Sequence, residues 1–234
     1  FSKALHIVAS YQHQFTRVLR LKTELYYQHL YQLPVSQNQQ STFCTVNTQD
    51  DYIREALQNK GKGRNYGVEL TIEKSLGHQF YYMITSSIYS SKYTAANGKE
   101  YNTRYNGGFV TNIVAGKDFA SANKRRTVGV NARMVYAGGY RGTPIDLEQS
   151  KLQEKTVYID ALTNTEQVPN YFRCDLRFSI TWNRKRANST LSLDLQNASN
   201  RKNVYGRFYD AQVGQVKTYY QTPMIPILNY KLEF

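Results

Sequence analysis

The sequence predicts an all-β fold, an antiparallel transmembrane β-barrel, on three observations. Apolar and polar side chains alternate with period two along most of the chain. Several of the alternating runs are longer than the five or six residues usual for a soluble strand. Short and long connections between the runs alternate strictly.

The alternation is plainest where Phe172, Cys174, Leu176, Phe178, Ile180 and Trp182 interleave with Arg173, Asp175, Arg177, Ser179 and Thr181. Successive residues of a strand point to opposite faces, so this segment has an aromatic and aliphatic side backed by a charged one. Val128, Val130, Ala132, Met134 and Tyr136 alternate in the same way with Thr127, Gly129, Asn131 and Arg133. So do Tyr66, Val68, Leu70 and Ile72 with Glu69, Thr71 and Glu73, and Leu191, Leu193 and Leu195 with Ser192, Asp194 and Gln196. Together such runs give about nine strands, near 4–14, 18–34, 65–75, 79–93, 106–119, 126–140, 170–183, 189–197 and 224–234. A strand tilted by ~45° needs ~9 to 11 residues to cross a bilayer, which most of these runs supply.

Turns at 15–17, 76–78, 120–125 and 184–188 are short, whereas the connections at 36–64, 94–105, 141–169 and 198–223 are long and polar. Consecutive antiparallel strands send alternate connections to opposite ends, so the short turns gather on one rim and the long loops on the other. Outer-membrane barrels have this asymmetry, with short turns in the periplasm and long loops outside. The final strand then descends from the outside and ends at Phe234, with Leu228, Tyr230 and Leu232 on one face and Asn229, Lys231 and Glu233 on the other. Pro223 and Pro226 stand at its upper end, where a missing ladder donor does least harm.

Composition agrees. The chain of 234 residues holds 21 Tyr and 10 Phe but one Trp and 5 Pro, a balance that favours strands and membrane interfaces. No run approaches the ~18 consecutive apolar residues of a membrane-spanning helix. The opening FSKALHIVASYQ lacks the ordered parts of a secretory signal, so a mature protein or a fragment is expected. Cys44 lies in a polar stretch and Cys174 on an apolar face, and the two are expected to be unpaired bystanders. The formal charge of +13 would suggest nucleic acid in a soluble domain. Here Arg184-Lys185-Arg186 and Lys124-Arg125-Arg126 fall in turns and other basic residues alternate along strands, so a solvated rim or contact with anionic lipid headgroups explains them, and no nucleic-acid partner is expected.

Several segments resemble the C-terminal barrel region of TonB-dependent outer-membrane receptors, particularly the Bacteroidota form. They are Gly63-Arg64-Asn65-Tyr66-Gly67-Val68-Glu69-Leu70, Arg104-Tyr105-Asn106 before Asn112-Ile113-Val114-Ala115-Gly116-Lys117, and Tyr136-Ala137-Gly138-Gly139. Pro144-Ile145-Asp146, Pro169-Asn170-Tyr171-Phe172-Arg173-Cys174-Asp175-Leu176, Asp194-Leu195-Gln196-Asn197-Ala198-Ser199-Asn200 and Asn229-Tyr230-Lys231-Leu232-Glu233-Phe234 complete the set. The resemblance implies a barrel of about 22 strands closed by an N-terminal plug, of which residues 1–234 would form the C-terminal part, without the plug or the earlier strands. It implies residence in the bacterial outer membrane. The implied partners are outer-membrane lipid, the protein's own plug domain, the TonB energy-transducing complex through a more N-terminal segment, and the barrel-assembly machinery. That machinery would read the closing strand at Tyr230, Leu232 and Phe234.

Residue constellations give no catalytic site. His6, His13, His29 and His78 are scattered, although the first three could approach across one hairpin; Asp146, Asp160 and Asp175 keep no fixed spacing to a His; no Ser sits in a strand-to-helix elbow, and no helix is predicted for one to precede. Asn97-Gly98 and Gly61-Lys62-Gly63 are turn chemistry, and Asp50-Asp51 lacks the other oxygens of a calcium loop. No metal or cofactor is expected. The inward row Asn131, Arg133, Arg173, Asp175 and Arg177 would meet water, plug or substrate; pairing with the plug is its plainer use. Substrate contact is expected in outer loops 36–64 and 201–221, above all at Tyr205, Tyr209 and Tyr219 in a segment that, with Phe208 and Tyr220, surrounds Gly214 and could form a small hairpin, though these aromatics would equally suit an interface belt.

The expected function is therefore non-enzymatic: barrel wall and extracellular loops for energised uptake of a nutrient such as a siderophore, glycan, peptide or cofactor. A small stand-alone outer-membrane barrel enzyme would instead need an even strand count, closure on itself and a His–acid–nucleophile cluster. A soluble carbohydrate-binding β-sandwich would leave the row ending in Trp182 as a large exposed apolar patch in water.

Overall fold

The computed structural model describes residues 1–48, 53, 55–77, 80–123, 125–184 and 187–234. His78, the Asp50-Asp51 pair, and Lys124, Lys185 and Arg186 in the basic turns lie outside the described residues. In chain order the strands are β1 (Lys3–Thr16), β2 (Leu19–Ser36), β3 (Leu57–Gly77), β4 (Phe80–Thr94), β5 (Glu100–Asn102), β6 (Phe109–Ala120) and β7 (Arg126–Ala137). After them come β8 (Arg141–Gly142), helix α1 (Leu147–Gln153), β9 (Glu166–Gln167), β10 (Tyr171–Asn183), β11 (Asn188–Gln196), β12 (Val204–Asp210), β13 (Gln215–Tyr220) and β14 (Ile225–Glu233).

One antiparallel sheet carries the fold, in the order β1-β2-β3-β4-β6-β7-β10-β11-β14, with β5 added to β4. Each long strand pairs with its neighbour in sequence, as hairpin connections require. The nine principal strands coincide with the nine expected runs to within a few residues, except that β3 starts well before its expected position. The sheet is open, with β1 and β14 at its edges.

Register sorts the side chains into rows. One row crosses seven strands as His13, Leu21, Ile72, Ile84, Ile113, Met134 and Cys174. A neighbouring row on the other face reads Arg20, Glu73, Met83, Val114, Arg133 and Asp175. Because the side-chain period is two, a slip of one residue would exchange the faces. The apolar face is bare: Phe178 is 43% exposed, Ile88 70% and Leu228 72%.

Among the described residues the buried apolar cluster is small and lies away from the middle of the sheet. Leu33, Val35, Cys44, Tyr93 and Ala95 form it, with Leu30, Val46, Ala96 and Tyr101 packed around. It sits at the long-loop ends of β2 and β4. This explains the early start of β3: the expected loop 36–64 narrows to 37–56 because Leu57–Gly61 continue the ladder against Leu33–Ser36. The segment Gln58-Asn59-Lys60-Gly61 carries no apolar alternation, so its strand character was hidden in the sequence.

A second departure is α1, where no helix was predicted. Asp146 caps it, its side chain accepting from the Gln149 N–H at 3.0 Å, and Glu154 ends it in the left-handed conformation. Seven residues give too short a periodic signal to compete with the surrounding polar loop. The short turns cluster on one rim as expected, and the expected hairpin around Gly214 is β12–β13. Both cysteines are free.

Gly61 makes the small cluster testable. A Cβ there would lie 2.5 Å from Val35 Cγ1 and 3.0 Å from the Leu33 carbonyl oxygen. Gly61→Ala should therefore destabilise the long-loop rim by about 1–3 kcal/mol, seen as earlier protease cleavage within 37–56 with the sheet intact. Unchanged cleavage would show that the rim does not depend on this contact.

Candidate functional site

Two places gather polar chemistry. The first is the charged row on the polar face of β7, β10 and β11. Asp175 faces Arg133 directly across the β7–β10 ladder. Arg173 Nε donates to Asp175 Oδ1 at 2.7 Å, and the Asn197 N–H reaches the same oxygen at 2.8 Å. Arg177 lies 3.5 Å from Asp194, whose other oxygen accepts from Asn229 Nδ2 at 2.7 Å. The expected inward row Asn131, Arg133, Arg173, Asp175 and Arg177 is thus brought together on one face, and Asp194 joins it. Sequence reasoning placed Asp194 in an alternating run and in a family-like segment but not among the site residues; its partnership with Arg177 needs the β10–β11 register.

With three arginines against two aspartates the row carries a net charge of +1. Each carboxylate is held by a guanidinium and a second donor, which suits a fixed docking face better than proton transfer. His6 lies on this face of β1, whereas His13 and His29 lie on the apolar face, so the three do not converge. Among the described residues no three His, Cys, Asp or Glu side chains are grouped to hold a metal ion.

The second place is built by the long loops, which are knitted to one another. Thr42 and Thr163 hydroxyls meet at 2.9 Å, Arg104 N–H donates to Asn47 Oδ1 at 2.9 Å, and Asn164 Nδ2 donates to the Asn102 carbonyl at 2.8 Å. The β12–β13 hairpin leans onto the 141–169 connection: Tyr140 hydroxyl donates to the Tyr205 carbonyl at 2.6 Å, and the Tyr209 N–H to Thr156 Oγ1 at 2.9 Å. Between hairpin and connection lies a cavity of about 510 Å3 whose lining includes Arg104, Arg141, Arg207, Glu166, Tyr158 and Tyr219.

Cationic and aromatic groups dominate that cavity. Arg104 stacks over the Tyr140 ring at 4.8 Å, and Arg207 pairs with Glu166 at 3.1 Å. Three guanidinium groups against one carboxylate leave a net charge of +2. Tyr219 lines the cavity, and Tyr205 supports it, their rings 5.3 Å apart. Tyr209 is different: it is only 8% exposed, and its N–H is tied to Thr156 of the loop. Arg104, Arg141, Arg207 and Glu166 were missed as site residues. They are scattered over a hundred residues, and no spacing rule joins them.

At the far edge, Tyr230, Leu232 and Phe234 are exposed at 65%, 45% and 98% on the face that carries Leu228. β14 pairs with β11 alone among the described strands, so its other edge is open.

No family model matches the chain, and no curated protein matches it. A solved structure does match in fold: the ferric yersiniabactin uptake receptor FyuA from Yersinia pestis, with a TM-score of 0.62, covers 99% of this chain at 12% identity. The shared fold is an antiparallel sheet of the β-barrel type. This chain spans 30% of that receptor's length. At such identity the likeness is one of architecture alone.

Two outcomes are expected at the long-loop rim. Lys217, 2.5 Å away, with the N–H groups of Gln212 and Val213, holds the Asp210 carboxyl below the usual carboxylate range. A depressed folded pKa stabilises the hairpin above the unfolded value and is lost as pH falls through the folded one. The protection of hairpin amides, taken relative to their intrinsic exchange rates, should fall only in that acid range, and in Asp210→Asn it should lose this pH dependence; an unchanged profile in the variant would refute the assignment. Burial pushes the Cys44 thiol up, outweighing the N–H groups of Val46 and Thr45. Alkylation at Cys44 should therefore require unfolding, and labelling of the native protein at the rate of a free peptide thiol would contradict the packed cluster.

Proposed function

We propose that this chain is part of the barrel of an energised outer-membrane receptor of the TonB-dependent kind, its long loops lying outside the cell and its polar face lining the lumen. The observation that carries the reading is the bare apolar face. A single sheet with Leu, Ile, Val and Phe exposed along one side has no second layer of its own to cover it, and hydrocarbon is the solvent in which that side is stable. Every backbone group of a strand crossing hydrocarbon must be bonded to a neighbouring strand, which the continuous ladders provide for the strands between β1 and β14.

On this reading the charged row faces the plug that other parts of the protein would supply, and the ion pairs Arg173–Asp175 and Arg177–Asp194 present a polar wall to it. The cationic cavity between hairpin and loop is the place where an imported ligand first meets this part of the barrel. The edge strand β14, with Tyr230 and Leu232 on its apolar face, is the segment offered to the assembly machinery. The Bacteroidota affinity rests on the sequence segments quoted above. The receptor role is a binding and transport one, without catalysis.

Fractionation of cells expressing the full-length protein tests the reading: recovery with outer membranes, and protease access to 37–56 and 143–165 from outside, are expected. A soluble, detergent-independent protein would overturn it. Adjacent residues of β14 give a sharper contrast. Leu228→Arg places charge on the face we assign to lipid and should cost about 2–4 kcal/mol of folding free energy in bilayers, whereas Asn229→Arg, beside Asp194, should cost far less. Equal losses would remove the assignment of faces.

A further inference from the structure

The apolar face is stratified. Across β1, β2, β3 and β4 the outward residues nearest the long loops form the row Lys3, Tyr31, Lys62 and Thr94, and the next row down is Leu5, His29, Arg64 and Lys92. Below these come Ile7, Tyr27, Tyr66 and Ser90, then Ala9, Leu25, Val68 and Ile88. Rows on one face are two residues, about 7 Å, apart along the strand. Within roughly 20 Å the surface therefore passes from lysine and arginine through tyrosine to aliphatic side chains.

Glu100 organises part of the basic band, lying 2.8 Å from Arg64 and 3.4 Å from Lys92. Four cations against one carboxylate leave the band a net charge of +3. The bland account is a solvated rim. That account does not explain why the cations occupy the outward face, directly above tyrosines and aliphatic residues, at the level where a bilayer carries its headgroups.

We propose that this four-strand patch is a docking surface for a phosphorylated lipid of the outer leaflet, the phosphates seated among Lys3, Lys62, Arg64 and Lys92 and the acyl chains lying over Ile7, Leu25 and Val68. The proposal rests on the outer-membrane reading. The surface is an open one and cannot enclose a free anion; a lipid brings its own anchor in the acyl chains, whose burial supplements the charge contacts. Tyr27 and Tyr66, both more than 40% exposed, fill the boundary between the two zones.

The test uses the full-length protein in neutral detergent, titrated with bisphosphorylated lipid A, dephosphorylated lipid A and inorganic phosphate, with binding followed by native mass spectrometry. Preference for the phosphorylated lipid is expected, with roughly fivefold weaker binding in Lys62→Gln and about 30-fold in Lys3→Gln/Lys62→Gln, at about 1 kcal/mol per cation. Neither lysine is in one of the ion pairs with Glu100, and retained heat-modifiable gel mobility checks that the variants are folded. Glu100→Gln, which removes the opposing charge, should tighten binding. Equal affinity for the dephosphorylated lipid, unchanged binding in the double variant, or full competition by inorganic phosphate would overturn the proposal. Insertion into zwitterionic bilayers is a separate readout: its failure would sink the outer-membrane reading, whereas normal insertion without phosphate preference would sink only the lipid site.

Discussion

The backbone ladder of the nine-strand sheet is the constraint on which the rest depends. It pairs each interior strand on both sides and fixes register residue by residue, so the period-two sequence becomes two chemically different surfaces. In a soluble domain the apolar surface would be stacked on another layer. Here it is left open, and the interior-like residues of the fold point outward. The polar surface needs the opposite treatment: its carboxylates Asp175 and Asp194 are each satisfied by an arginine and a second donor, and among the described residues no buried side-chain polar atom lacks a partner.

The same constraint explains where packing does occur. The long loops leave the ladder and lose its order, so they need contacts of their own. The Leu33, Val35, Cys44, Tyr93 and Ala95 cluster supplies an apolar anchor, reinforced by the Tyr93 hydroxyl donating to the Thr42 carbonyl at 2.9 Å. Loop-to-loop hydrogen bonds, such as Gln167 Nε2 to the Gly107 carbonyl at 3.0 Å, then tie the connections together. A cationic cavity bounded by a hairpin and a loop is held in shape by this network and not by the sheet.

What could be read in the sequence follows from the same division. Strands such as β7, β10 and β11 announced themselves because an apolar face must alternate with a polar one at each step, and the charged row on Arg133, Arg173, Asp175 and Arg177 came with them. The first residues of β3 were invisible because Gln58-Asn59-Lys60-Gly61 belong to a part of the sheet beyond the apolar band, where alternation has no work to do. The loop cavity was invisible for a different reason. Arg104, Arg141 and Arg207 meet only after the loops have folded against one another, and the burial of Tyr209 between hairpin and loop arises in the same way. Segments that contact one another through tertiary hydrogen bonds carry no period, and a single sequence does not mark them.

The outward placement of the apolar rows is the claim from which all the functional readings descend. Spin labels placed one at a time along Arg177–Trp182 in bilayer-reconstituted full-length protein would measure it through collision with oxygen, which dissolves in hydrocarbon, and with a water-soluble nickel chelate. The account predicts that labels at Phe178, Ile180 and Trp182 meet oxygen, that those at Arg177, Ser179 and Thr181 are screened from it, and that the pattern reverses at each residue. Labels at Phe178 and Ile180 shielded from both reagents would mean that the apolar face is covered by protein, and would contradict it.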